Sequence, residues 1–208
     1  MKDIQSLISA LPSSIVVVGV SKNRSLDQIE SLYKQGITVF GENKAQELQN
    51  KADPSQPWQW HFIGHLQTNK VKQVVKHCSM IHSVDSLKLA QIIDKECAKI
   101  NKIMDVCIQV NVINEATKSG CKIAEVNDLA LVITHLNNIN LKGIMVMGPT
   151  DQDDLKIHQA FELAQDLFES LKKTHPQVDT LSMGMSQDYQ VAIQYGSTML
   201  RLGSILFE

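Results

Sequence analysis

The residues best equipped for chemistry begin with a single amine. Lys22 is the first ionisable residue after an apolar run, and residues 15–20 comprise five β-branched side chains and Gly19. That composition describes a strand covered on both faces in a parallel sheet. Ligands in α/β folds bind at the C-terminal ends of such strands, which puts Lys22 at the mouth of a site. An amine there can condense with an aldehyde when burial or a neighbouring cation lowers its pKa from about 10.4. The plainer alternative is a solvated loop lysine. Two loops near the C-terminus, Ser182-Met183-Gly184-Met185-Ser186 and Arg201-Leu202-Gly203-Ser204, add hydroxyls and glycines. Backbone N–H groups in loops of this kind hold phosphate. Amine and loops together suit a ligand bearing both an aldehyde and a phosphate.

Other reactive side chains carry weaker signals. His61 and His65 flank Phe-Ile-Gly, a strand end, so they lack the helical i,i+4 geometry of a metal pair and read as packed or hydrogen-bonded histidines. His82 with Asp85 could be a dyad or simply polar filling at a barrel rim. The four cysteines, Cys78, Cys97, Cys107 and Cys121, include no C-x-x-C pair and read as reduced, buried thiols. Met145, Met147, Met183 and Met185 read as core and pocket lining. Lys118, in Thr-Lys-Ser-Gly, reads as an exposed loop lysine that could offer a second point of aldehyde attachment.

The elements that must position these groups follow from hydrophobic periodicity. Ile4, Leu7, Ile8 and Leu11 mark a short leading helix. Beyond Lys22, Ser25 and Gln28 form a capping box, Leu26, Ile29, Leu32 and Tyr33 mark a buried face, and Gly36 ends the helix. Apolar runs then recur at 37–40, 58–63, 80–83, 105–111, 141–147, 180–183 and 199–202, each separated from the next by a helical pattern. The clearest of these helices carries Ile157, Ala160, Phe161, Ala164, Leu167, Phe168 and Leu171. Eight alternating strands and helices in about 190 residues match a closed (β/α)8 TIM-type barrel. A doubly wound sheet normally uses five or six strands, and neither G-x-G-x-x-G nor a Walker sequence occurs. No linker divides the chain, so residues 1–208 read as a single barrel domain.

Composition bounds the rest. With 43% hydrophobic and 20% charged residues, the 208-residue chain has the profile of a soluble globular protein. A net charge of −2 gives no electrostatic case for nucleic acid. No apolar run reaches the roughly 20 residues of a membrane span, and the polar N-terminus is unlike a signal peptide, so a cytoplasmic location is expected.

Several motifs keep a fixed order along the chain: Val20-Ser21-Lys22, Phe40-Gly41-Glu42-Asn43, His61-Phe62-Ile63-Gly64, His82-Ser83-Val84-Asp85, Gln109-Val110-Asn111, Lys118-Ser119-Gly120, Leu181 to Ser186, and Gly196 to Ser204. With them the chain resembles the pyridoxal-phosphate homeostasis protein family, single-barrel relatives of the alanine racemase N-terminal domain. Pyridoxal 5′-phosphate (PLP) carries both an aldehyde and a phosphate. The resemblance implies that Lys22 forms the internal aldimine, that Ser186, Gly203 and Ser204 bind the phosphate, and that Asn43 lines the ring pocket. It also implies that Arg201 faces the pyridine nitrogen, where a cation disfavours ring protonation and makes the ring a poor electron sink. Lys44 departs from the family's aromatic residue, and Ser204 from its threonine. The role implied is that of a monomeric carrier without catalytic residues or metal. It would buffer PLP or deliver it to PLP-dependent apo-enzymes, with indirect effects on amino-acid and keto-acid balance. A racemase-like enzyme is the alternative, although that chemistry needs acid/base groups on both faces of the substrate, one of them supplied by a separate β-domain. A cofactor-free barrel using Lys22 as an aldolase-type amine is the third reading.

Overall fold

The computed structural model of the chain describes residues 4–115, 118–151 and 153–207. Helix α1 (Ile4–Ser9) leads into β1 (Val16–Val20), and strand–helix units follow without interruption. They are α2 (Leu26–Lys34), β2 (Val39–Glu42), α3 (Ala45–Lys51), β3 (Gln59–Phe62), α4 (Val71–His77), β4 (Met80–Val84) and α5 (Leu87–Ala98). The second half continues with β5 (Met104–Val110), α6 (Val126–Thr134), β6 (Ile139–Val146), α7 (Asp154–Thr174), β7 (Thr180–Ser182), α8 (Tyr189–Gln194), β8 (Met199–Leu202) and α9 (Ser204–Phe207).

The strands close into a barrel in chain order. Each is parallel to both of its neighbours, and the seam runs from Val16↔Met199 to Gly19↔Leu202. This is the (β/α)8 architecture that the strand count anticipates. Its physical basis is the alternation of inward and outward side chains along every strand. Outward residues such as Phe40, Ile81, Ile108 and Leu200 pack beneath the helices, while Val18, Val39, Met80, Cys107, Met145 and Met199 fill the interior.

Local sequence accounts for the helices. Ser25 accepts from the Gln28 backbone at 3.3 Å while the Gln28 side chain accepts from the Ser25 N–H at 3.0 Å, so the capping box forms as read. Asp153 caps α7, accepting from the Lys156 N–H at 3.1 Å. The apolar stripe of α7 (Ile157, Ala160, Phe161, Ala164, Phe168 and Leu171) is buried as its spacing requires. Strand boundaries differ from the apolar runs by one or two residues, because hydrogen-bond register rather than hydrophobicity sets where pairing stops. Thus β2 runs two residues past Phe40, to Glu42, and β6 starts at Ile139 instead of Leu141.

One glycine is needed for the sheet to close. A Cβ on Gly143 would stand 1.7 Å from the Thr180 carbonyl oxygen, so only hydrogen at that position lets β7 dock on β6.

Candidate functional site

The site is assembled at the C-terminal ends of β1 and β8. One residue beyond β1, Ser21 is fully buried, and its hydroxyl donates to Glu42 Oε1 at 2.6 Å. Lys51 Nζ binds the same oxygen at 2.7 Å and the Ser21 carbonyl at 2.7 Å. This knot ties the end of β1 to β2 and α3 and leaves Lys22, the next residue, exposed at the rim. The adjoining turn is pinned as well, since the Asn23 N–H donates to Glu47 at 3.0 Å. That hydrogen bond is the main reason the Glu47 carboxyl sits below its ordinary pKa, and Lys51 and Lys44 lower it further.

Beside Lys22, the end of the adjacent β8 and the turn after β7 supply the rest of the wall. Gly184 has φ +94°, and a Cβ there would lie 2.6 Å from Ala192 Cβ. The turn carries Ser186 back over the pocket. Ser186 Oγ accepts from the Gly203 N–H at 3.0 Å and the Ile205 N–H at 3.4 Å, both donors of the kind an anion engages. A Cβ on Gly203 would meet Val20 Cβ at 3.6 Å without clash, so this glycine leaves open volume inside the pocket.

Arg201 projects into the barrel from β8 and is 4% exposed. Its Nη1 donates to the Ser182 carbonyl and hydroxyl oxygens, both at 2.8 Å, and Nη2 donates to the Val146 carbonyl at 2.9 Å. Burial lowers its pKa to about 10, so it remains a cation at neutral pH. Its hydrogen-bond partners are thus carbonyls and a hydroxyl, not the carboxylate of a barrel-end salt bridge.

A cavity of about 300 Å³ is lined by Val20, Lys22, Arg24, Met185, Ser186, Gln187, Arg201, Gly203 and Ser204. Five of the six residues singled out in the sequence therefore face one space. The sixth, Asn43, lines a second cavity with Lys44, Phe62, His65 and Lys70. Its Oδ1 is buried and has no hydrogen-bond partner among the described residues. Arg24 joins the pocket without having been anticipated, its guanidinium 5.0 Å from the centroid of the Phe207 ring. The lining suits PLP chemically, with an amine for the aldehyde, three cations in all, and hydroxyl and N–H donors for a phosphate.

The histidines pair differently from their sequence spacing. His82 does not meet Asp85; its Nδ1 lies 2.9 Å from Ser182 Oγ and its Nε2 lies 2.9 Å from His61 Nδ1. Asp85 instead lies 3.7 Å from the exposed His65. Strand parity held the clue: His61 is in register with Met80, so both face inward, and His82 faces inward two residues later. Burial lowers the His61 pKa to about 4 and holds His82 well below its usual value, with His61 and the Arg201 charge contributing. Lys118 is a correction to the reading of an exposed lysine. Its side chain is only 12% exposed, pairs with Glu115 at 3.1 Å and donates to the Gly148 carbonyl. All four cysteines are buried and free, and burial raises each thiol pKa, Cys97 to about 11 and Cys121 to about 12. Among the described residues no three His, Cys, Asp or Glu side chains converge as metal ligands. No described helix is long and apolar enough to cross a membrane.

Known proteins place this architecture. A family model described as the alanine racemase N-terminal domain matches residues 4–208. A pyridoxal phosphate homeostasis protein of Pasteurella multocida is 41% identical over 202 residues, covering 94% of this chain and 86% of its own. One from Vibrio alginolyticus is 39% identical over 203 residues, covering 94% and 87%. Among solved structures, PipY of Synechococcus elongatus with PLP bound superposes with a TM-score of 0.92 at 31% identity, over 100% of this chain and 99% of that one. An alanine racemase of Clostridium difficile shares the fold, with a TM-score of 0.77 at 15% identity over 98% of this chain and 55% of that one. Matched along nearly its whole length in sequence and in structure, the chain belongs to the pyridoxal phosphate homeostasis proteins, within the alanine racemase N-terminal-domain family.

Proposed function

We propose that residues 1–208 act as one barrel domain that holds PLP at the β1/β8 mouth and serves PLP homeostasis as a carrier. The observation that carries this reading is the convergence of Lys22, Ser186, Arg201, Gly203 and Ser204 on one cavity of about 300 Å³. Bound PLP would supply an aldehyde able to link covalently to an amine. Lys22 is the amine at the cavity mouth. Ser186, Ser204 and the Gly203 N–H would hold the phosphate, and Arg24 would add charge. Arg201, held cationic, would keep a proton off the ring nitrogen and so withhold the electron sink that transaminase chemistry needs. Asn43 lines a second cavity, and its part in the ring pocket rests on the family resemblance alone. In this reading the protein is a cytoplasmic monomer that buffers PLP or passes it to PLP-dependent apo-enzymes.

Spectral titration tests the assignment. Adding PLP to the wild type should produce a yellow band, and Lys22→Ala should lose it. Hydride reduction followed by digestion should label the peptide containing Lys22; a label confined to another lysine would refute the role given to this one. Incubating the loaded protein with L-alanine and following chirality should show turnover far below the ~1–10³ s⁻¹ of ordinary enzymes. Turnover within that range would favour the racemase reading.

A further inference from the structure

The interior of the barrel holds a chain of polar groups whose chemistry exceeds that of a packed core. It runs from Arg201 Nη1 to Ser182 Oγ at 2.8 Å, on to His82 Nδ1 at 2.9 Å, and from His82 Nε2 to His61 Nδ1 at 2.9 Å. Its members come from β8, β7, β4 and β3, so it crosses the barrel. Ser182 and His82 are fully buried, and His61 is 5% exposed. His61 lines a separate cavity of about 470 Å³, together with residues such as Ser14, Thr38 and Asp105 at the N-terminal ends of the strands.

The donor and acceptor at every link follow from the first. A guanidinium has no lone pair, so Arg201 donates and Ser182 Oγ accepts. Among the described residues, that oxygen has two hydrogen-bond partners, Arg201 Nη1 and His82 Nδ1. The serine hydrogen therefore goes to His82 Nδ1. His82 must then carry its proton on Nε2 and donate to His61 Nδ1, and His61 must carry its own on Nε2, facing the cavity. All the hydrogen bonds point the same way, an arrangement in which each strengthens the next. The chain ends on a group that keeps its proton, so it cannot deliver protons to the cofactor pocket. What it can do is hold the guanidinium in place.

We infer that Ser182, His82 and His61 are positioning residues that fix the Arg201 guanidinium from within the barrel and thereby set the charge felt by the pyridine nitrogen of bound PLP. This rests on the cofactor reading above. Without the hydroxyl, the carbonyls of Ser182 and Val146 and the charge of the buried Asp188 carboxylate would still hold Arg201 but would constrain its tilt less. The hydroxyl is the extra anchor that selects one orientation, and the two neutral histidines hold that hydroxyl in its donor–acceptor state.

Nitrogen-15 NMR of the histidine rings in the unloaded protein tests the chain without PLP. Both rings should be neutral at pH 7, with Nε2 protonated and Nδ1 bare; a cationic ring, or a proton on His82 Nδ1, would overturn the inference. With PLP added, Ser182→Ala and His82→Phe should each raise the pH midpoint of the absorption band by about 0.5 unit or more, because a tilted cation opposes protonation less. Met80→Leu, a change inside the barrel but off the chain, should leave the midpoint in place even where it lowers Tm. If all three variants lose Tm and none moves the midpoint, the chain is structural only and the inference fails. A wild type that develops no band overturns the cofactor reading and this role with it, and the missing band tells that outcome from failure of the chain.

Discussion

Glu42 shows what the site demands of single side chains. It is fully buried, yet one oxygen accepts from both the Ser21 hydroxyl and the Lys51 ammonium, whose side chain is 13% exposed. Removing one partner of a buried pair costs more than the pair contributes, because the other charge is left behind. Glu42→Gln should therefore lower stability by about 2–4 kcal/mol in urea denaturation at pH 7. It should also loosen the attachment of Lys22, read as weaker PLP binding in the spectral titration; unchanged affinity would uncouple the knot from the site. At this scale Lys22, Ser186, Arg201, Gly203 and Ser204 were legible, because strand ends and motif order announce them. Arg24 and the His61–His82 pair were not. Their contacts join residues far apart in sequence, and spacing says nothing about which strand faces which.

The elements impose their own constraints, and the turn after β7 is the tightest. Gly184→Ala would place a methyl 2.6 Å from Ala192 and 2.8 Å from a Leu200 methyl, on a backbone with φ +94°. The combined overpacking and strain should cost about 2–4 kcal/mol, measurable as a lower urea midpoint. PLP binding should fall with it, since the same turn carries Ser186; a variant of normal stability would show that the turn can relax. The capping box of α2 is a milder case. Ser25→Ala should cost about 1 kcal/mol by the same assay, with PLP binding kept. That box was readable as four consecutive residues because both of its hydrogen bonds are local. The Gly184 turn was not readable in this way, since what crowds it comes from α8 and β8.

The whole molecule stores a pH dependence in its barrel. In the unfolded chain a histidine titrates near 6.5, whereas burial holds His61 at about 4 in the fold and His82 also well below its usual value. Between those values the unfolded state binds more protons, so stability is fully present above pH 6.5 and is lost as pH falls toward the folded pKa. Within that window His61 contributes a slope of about 1.4 kcal/mol per pH unit, a span of roughly 3 kcal/mol, and His82 acts in the same direction. Denaturation midpoints at pH 7.5 and 5 should differ accordingly; a flat profile would mean that the interior accommodates charged rings. The sequence by itself determined the eightfold alternation of strand and helix, the helix stops and the motifs at the strand ends, because hydrophobic period and capping are local properties of a chain. Only the tertiary structure decided which inward-facing groups meet across the barrel, that Asn43 borders a second cavity, and that Lys118 is held against Gly148. Those outcomes depend on strand register and barrel closure, which bring together residues as far apart as His82 and Ser182.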